Sequence, residues 1–179
     1  GVVIAYDSRA YSKQFAQEAA LTLNSFGIRT YVFDCLTPTP ELSFAVNYRQ
    51  AIAGIVITAS HNPKEYNGYK VYNEYGCQIT GEMAEAILEN INRYQELEDL
   101  PMMLSYETAE ARDLYHVVDD MYHQAYQKAV LEQALLHDTV AKENLKVVYT
   151  PLHGTGLVPV TNVLDKDGFT QIHVLESQK

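Results

Sequence analysis

Between Thr58 and Lys70 the chain reads TASHNPKEYNGYK, collecting a hydroxyl (Ser60), an imidazole (His61), a carboxamide (Asn62) and two ammonium groups (Lys64 and Lys70). A serine hydroxyl is a weak nucleophile unless a base, a metal or phosphate chemistry acts on it, so the neighbours decide what it could do. An imidazole that is cationic near neutral pH, an amide donor and two ammonium groups suit the holding of a phosphate better than the stabilisation of an acyl oxyanion. A hydrolase triad is disfavoured. Adjacent Ser and His side chains diverge along a chain, no G-x-S-x-G elbow occurs, and no partner acid stands out. On spacing alone, a Ser-His pair in a turn also reads as nothing more than a turn, and both readings stay open at this point.

The residues that lead into this stretch say where it must sit. The β-branched run Ile55, Val56, Ile57, Thr58 stops abruptly at Ala59-Ser60-His61-Asn62-Pro63. It reads as a buried strand, and ligands of open α/β sheets bind beyond the carboxyl ends of strands. Gly54 and Gly68 bracket the loop and permit tight turns, and Pro63 stiffens it.

Strand and helix signals alternate around it. Val2–Tyr6 reads as a buried strand. SKQFAQEAALTLNSFG then reads as a helix with Phe15, Ala19, Leu23 and Phe26 at helical spacing, Ser12 as N-cap and Gly27 as stop. RTYVFD is a second strand, LTPTPELSFAVNYRQ a Pro-punctuated turn into a short helix, AGIVIT a third strand and YKVYN a fourth. Thr80 caps GEMAEAILENINRY, whose Met83, Ile87, Leu88 and Ile91 form one apolar stripe. The alternation predicts an α/β fold, a mostly parallel sheet with right-handed crossover helices. A polar, acidic lapse from Leu97 to Arg112 marks a boundary that divides the chain into residues 1–110 and 111–179. Beyond it the sequence predicts a long helix over Asp113–Leu136, a charged link, the strand LKVVYT, the loop PLHGTG, another helix and the strand QIHVLE. These strands are too few to close a sheet, so the second α/β domain reads as incomplete. The opening GVVIAYD looks like the inside of a domain, and the expectation is that the true N-terminus lies upstream.

With 179 residues, 47% of them hydrophobic, the chain can bury a real core. Its 13 Lys+Arg against 23 Asp+Glu give a net charge of −10, which argues against nucleic acid or an anionic membrane as the main partner. An anionic ligand must therefore be held by local groups. The apolar runs are strand-sized, far short of the roughly 20 residues of a membrane helix, and no signal peptide opens the chain. Cys35 and Cys77 show no C-x-x-C or Cys/His ligand spacing, which fits a reducing cytoplasm and gives no metal site from cysteine. His153 in PLHGTG reads as a loop-packing residue, and His116, His123 and His137 as solvated positions on the long helix. The 14 tyrosines, with no Trp, read as packing and surface residues.

TASHNPKEYNGYKVY resembles the phosphoserine loop of the α-D-phosphohexomutase superfamily, the phosphoglucomutases and phosphomannomutases. VVIAYDSRAYSKQFA is similar to that family's opening strand with its Tyr-Asp-x-Arg turn, LTPTPELSFAV to its Thr-Pro crossover, and VVYTPLHGTG to the start of its second domain. The resemblance spans nearly all of the chain and is most similar to the branch acting mainly on glucose phosphates. It implies that Ser60 is the hydroxyl phosphorylated in the resting enzyme. That phosphoserine would donate to a hexose monophosphate, and after turnover of a hexose 1,6-bisphosphate the other phosphate would return to serine. His61 and Lys70 match positions that contact the phosphate or assist proton transfer. Asn62, Lys64 and Arg9 are implied as phosphate or substrate contacts, with Asp7 and Arg9 more readily buttressing the loop. Mg²⁺ would bind through the phosphate on Ser60.

Other signatures of the family do not occur here: its upstream Gly-Thr-x-Gly-x-Arg-Gly turn, the Asp-Gly-Asp-x-Asp-Arg metal loop, the Gly-Glu-x-Ser-Gly sugar loop and the Arg-x-Ser-Gly-Thr phosphate clamp. The resemblance therefore implies a segment: a first domain and the beginning of a second. The rest of domain two and domains three and four would be its partners, a small sugar phosphate its ligand, and the segment alone would be inactive. Two alternatives are a non-catalytic sugar-phosphate-binding module of the same fold and a mutase for another sugar, such as mannose, glucosamine or a pentose.

Overall fold

The computed structural model describes residues 1–94, 100–136 and 139–179. At its centre is β1, Val2–Tyr6, every residue of which is buried. A strand covered on both faces needs apolar side chains throughout, and VVIAY supplies them. β1 runs parallel to β2 (Thr30–Val32) on one side and to β3 (Ala53–Ile57) on the other, with Tyr6 opposite Ile57. β4 (Tyr69–Tyr72) adds antiparallel to β3 and β5 (Tyr115–Val117) parallel to β2, giving a five-stranded sheet in the order β4-β3-β1-β2-β5.

Helices cover both faces of this mostly parallel sheet, the α/β architecture that the alternation predicts. α1 (Ser12–Ser25) and α4 (Tyr106–Ala111) cover the side that carries Ile4, Tyr6, Ile55 and Ile57. α2 (Thr39–Arg49) and α5 (Asp120–Leu131) cover the side that carries Val3, Ala5, Phe33 and Val56.

Several expectations change. On α1 the buried row is Ser12, Ala16, Ala20 and Asn24, while Phe15 and Phe26 are 44% and 49% exposed. Small residues let the helix lie close to the sheet, which pushes the bulky rings to its shoulders. Tyr11, with a left-handed φ of 64°, takes the N-cap position, and Ser12 is already helical. On α3 (Gly81–Ile91) the stripe of Met83, Ile87, Leu88 and Ile91 is exposed, and no residue of the helix is buried. The predicted helix over 113–136 is instead the strand β5 followed by α5, because Thr30 and Val32 on β2 offer a free edge that Tyr115–Val117 completes. His116 therefore lies on a strand, stacked on Tyr31 with ring centroids 5.2 Å apart. His137 lies outside the described residues.

The remainder comprises α6 (Thr139–Asn144), β6 (Lys146–Tyr149), α7 (Leu157–Lys166), β7 (Gln171–Val174) and a 3-10 turn, Glu176–Gln178. β6 and β7 pair in parallel as a two-stranded sheet. α7 packs on α5, where Lys166 Nζ donates to Gln127 Oε1 at 2.5 Å. No described residue beyond Gln127 is buried.

Candidate functional site

The parallel pairing of β1 with β3 sets the loops leaving their carboxyl ends side by side. Asp7 N donates to Ile57 O at 3.1 Å, and Thr58 N donates to Gly68 O at 2.9 Å, closing the base of the second loop. A Cβ on Gly68 would sit 2.5 Å from the Thr58 carbonyl oxygen, so only glycine fits there. Two tight turns shape the loop: Asn62 N donates to Ala59 O at 3.1 Å and Tyr66 N to Pro63 O at 3.0 Å.

Ser60 stands exposed on the first turn with a φ of 58°, a left-handed conformation uncommon for a residue with a Cβ. Its amide donates to Thr58 Oγ1 at 3.0 Å. Its Oγ lies 3.3 Å from His61 Nδ1. The expected divergence of adjacent Ser and His side chains applies to regular backbone, and the left-handed turn at Ser60 removes it.

Arg9 holds this loop from the β1 side. Its Nη1 donates to the Pro63 and Tyr66 carbonyls, both at 2.8 Å, and its Nη2 to Ser60 O at 3.0 Å and Asn62 O at 2.6 Å. Nε lies 3.3 Å from Asp7 Oδ2, and the Arg9 side chain is only 12% exposed. Every N–H of both terminal nitrogens is thus committed to a backbone carbonyl, so the guanidinium has none left for a phosphate. Its geometry is that of a buttress.

A second tie was not legible in the sequence. Ser12, fully buried, donates through Oγ to Asp7 Oδ1 at 2.7 Å and accepts from Asn67 Nδ2 at 2.8 Å. Asn67 Oδ1 in turn accepts from Gly68 N at 2.9 Å. The start of α1 is therefore bonded to both ends of the loop system. The visible signal was a short polar residue at a helix start, which also fits an N-cap.

Ser60, His61, Asn62 and Lys64 line an open cleft of about 930 Å³ with Asp7 and Arg9, and Leu152–Thr155 of the PLHGTG loop form its other wall. Ser8 Oγ joins the two walls by donating to His153 O at 2.6 Å. Leu152 and His153 are both left-handed, with φ of 50° and 59°, and His153 Nδ1 lies 3.1 Å from Lys179 O. Lys70 is not among the residues lining the cleft. It is half-buried on β4 opposite Val56, a register that puts it on the face of the sheet covered by α2.

The cleft is large enough for a small phosphorylated ligand, and it presents an imidazole, an ammonium and an amide beside an exposed hydroxyl. It is poorly suited to a Mg²⁺ ion. Its carboxylates are Asp7 and Glu65, and Asp7 is already engaged by the Arg9 amide at 3.0 Å, the Arg9 guanidinium and Ser12. An octahedral cation needs more oxygens than these residues offer.

The model of the phosphoglucomutase/phosphomannomutase alpha/beta/alpha domain I matches residues 1–98. The chain is 41% identical over 177 residues to a phosphoglucomutase of Staphylococcus epidermidis, covering 99% of this chain and 32% of that protein. It is 38% identical to a phosphoglucomutase of Staphylococcus haemolyticus, covering 99% and 31%. Among solved structures, a Thermus thermophilus protein described as a phosphomannomutase superposes with a TM-score of 0.79 at 26% identity, covering 97% of this chain and 36% of that one. A phosphoglucomutase/phosphomannomutase family protein of Burkholderia thailandensis shares the fold, with a TM-score of 0.70 at 22% identity over 97% and 34%. The chain spans about a third of the length of these curated relatives.

Proposed function

The chain belongs to the phosphoglucomutase/phosphomannomutase family, and from that premise we propose that it is the part of a hexose-phosphate mutase that carries the phosphoryl-bearing serine. The carrying observation is Ser60: an exposed hydroxyl on a left-handed turn at the carboxyl end of β3, 3.3 Å from an imidazole, in a loop clamped by Arg9. In this reading the phosphoryl group on Ser60 Oγ passes to the free hydroxyl of a hexose monophosphate, the P–Oγ bond breaking as the new P–O bond forms. The resulting 1,6-bisphosphate turns over, and its other phosphate returns to Ser60 Oγ. His61 takes and returns the proton of the reacting hydroxyl, Lys64 offsets the charge of the phosphate and Asn62 donates to it, while Lys70 lies outside this cleft. Arg9 acts by positioning, since in-line phosphoryl transfer draws mainly on geometry and charge. Mg²⁺ belongs to the longer protein, where oxygens from beyond this chain would complete its shell, and no step written here runs through it.

Residues 1–110 are assigned to the first domain and 111–179 to the opening of the second, with β5 reaching back to the first sheet. The names of the relatives support a glucose phosphate as substrate. The free thiols of Cys35 and Cys77 support a cytoplasmic setting, and no helix among the described residues is long and apolar enough to cross a membrane.

The test uses the longer protein. Incubation with hexose 1,6-bisphosphate should add one phosphoryl group, mapped to Ser60 by peptide mass, and Ser60→Ala should abolish both the label and the interconversion while leaving the fold intact. Retention of a tenth of the rate by Ser60→Ala, about 1.4 kcal/mol of barrier, would overturn the assignment.

A further inference from the structure

A second cleft, of about 950 Å³, opens on the α5 side of the PLHGTG loop, and its lining includes Cys35, Glu41 and His123. These residues come from the loop after β2, the first turn of α2 and the first turn of α5. Cys35 is exposed, and its Sγ lies 3.6 Å from His123 Nε2. The other ring nitrogen, Nδ1, lies 2.6 Å from Glu41 Oε1. The Glu41 side chain is 3% exposed and that of His123 20% exposed, with the Phe33 ring centroid 5.3 Å from that of the imidazole. A nucleophile, a base and an orienting buried carboxylate therefore stand in line, although sequence spacing alone pointed to no Cys/His pairing and to a solvated His123.

Glu41 is a buried carboxylate whose partner is this imidazole, so the cationic form of His123 is the one the site favours. The contacts to Cys35 and Glu41 push the His123 pKa up to about 10. An imidazolium beside a thiol stabilises the thiolate, which is the reactive form of cysteine. Asp34, whose carboxylate belongs to the same cluster, and Asp119 and Asp120 at the start of α5 oppose that ionisation, and Lys179 on the same cleft favours it.

We infer that Cys35 is a thiol-modification site, paired with His123 and through it with Glu41, that exchanges with low-molecular-weight disulfides of the glutathione type. With the proton resting on His123 Nε2, the Cys35 sulfur attacks one sulfur of the incoming disulfide. The Sγ–S bond forms as the disulfide's own S–S bond breaks, and the departing small thiolate is protonated by water while the His123 proton stays paired with Glu41. The product is a mixed disulfide on Cys35 and one free small thiol, with no further oxidant consumed. The adduct would lie in the cleft whose wall includes His153, Gly154 and Thr155, the same residues that wall the Ser60 cleft.

Cys77 supplies an internal control. It is also exposed and free, and among the described residues its Sγ hydrogen-bonds the Tyr75 carbonyl, at 3.9 Å, with no histidine beside it. The purified 179-residue chain is treated with glutathione disulfide at pH 7 in the presence of a chelator, and the rate at each cysteine is read by peptide mass. Cys35 is expected to react at least about tenfold faster than Cys77. Its rate should fall less steeply than that of Cys77 as pH is lowered from 8 to 6, because only Cys35 has an imidazole beside it. His123→Gln should bring Cys35 to the rate of Cys77, and Glu41→Gln should move it part of the way. An unchanged Cys77 rate and far-UV spectrum certify the fold of each variant. Equal rates at the two cysteines in the native chain, or parallel pH profiles, overturn the inference without any variant. An undiminished Cys35 rate in folded His123→Gln overturns it as well.

Discussion

Arg9 is the side chain with the most bonds to the loop that presents Ser60. Arg9 satisfies four carbonyls of that loop from a single planar fork, which the point charge of a lysine cannot reproduce. Arg9→Lys should cost about 2 kcal/mol of stability, measured by urea denaturation, because hydrogen bonds to a charged, part-buried group are lost. Turnover of the longer protein should fall by a larger factor than that destabilisation alone produces, since a misplaced phosphoryl group loses in-line geometry. His123 carries a pH dependence of definite sign. Its folded pKa, about 10, is raised above the unfolded value near 6.5. The stability it contributes is therefore complete below about pH 6.5 and is lost as pH rises through about 10. The gap in urea midpoint between the native chain and His123→Gln should narrow steadily from pH 6.5 to 10, and a gap that widens would contradict the pairing.

At the scale of the element, the close approaches of backbone matter more than intrinsic propensity. Gly68 lets β4 begin directly beneath Thr58, where a Cβ would lie 2.5 Å from a carbonyl oxygen. Backbone cannot yield as a flexible side chain can, so Gly68→Ala should cost about 3 kcal/mol and loosen the β3–β4 pairing. Gly27, at the end of α1, is the contrasting case. Its φ is +75°, yet a Cβ there would meet nothing within 4 Å. Gly27→Ala pays only for the left-handed backbone, about 1 kcal/mol. Thermal or urea unfolding of the two variants side by side checks the ranking. A Gly27 substitution as costly as the Gly68 one would mean that backbone conformation, and not the contact with Thr58, dominates.

Across the whole molecule, stability should be uneven. The five-stranded sheet has fully buried strands, whereas β6, α7 and β7 have no buried residue and reach the rest through α5–α7 packing and contacts such as Ser8 to His153. Local opening follows buried apolar contact, so amides of β6 and β7 should exchange at least about a hundredfold faster than those of β1 and β3. Hydrogen exchange read by mass spectrometry or NMR decides this, and equal protection across both sheets would contradict it.

The strands, the crossover order and the loop beyond β3 could be read from the sequence because each rests on local period and punctuation. AGIVIT must be buried on both sides, and a run that ends in Ser-His-Asn-Pro must turn. The helical spacing of Phe15, Leu23 and Phe26 was equally real, yet it misjudged which face of α1 is buried. Periodicity marks the apolar residues, but how closely Ala16 and Ala20 let the helix approach the sheet is a property of the partner surface. The strand at Tyr115–Val117 was hidden because three residues carry little pattern and pair only with a β2 edge more than eighty positions away. The left-handed Ser60, the committed guanidinium of Arg9 and the Cys35–His123–Glu41 line share that physical origin. Residue types name what a side chain can do, and only the convergence of distant segments decides which atoms it meets.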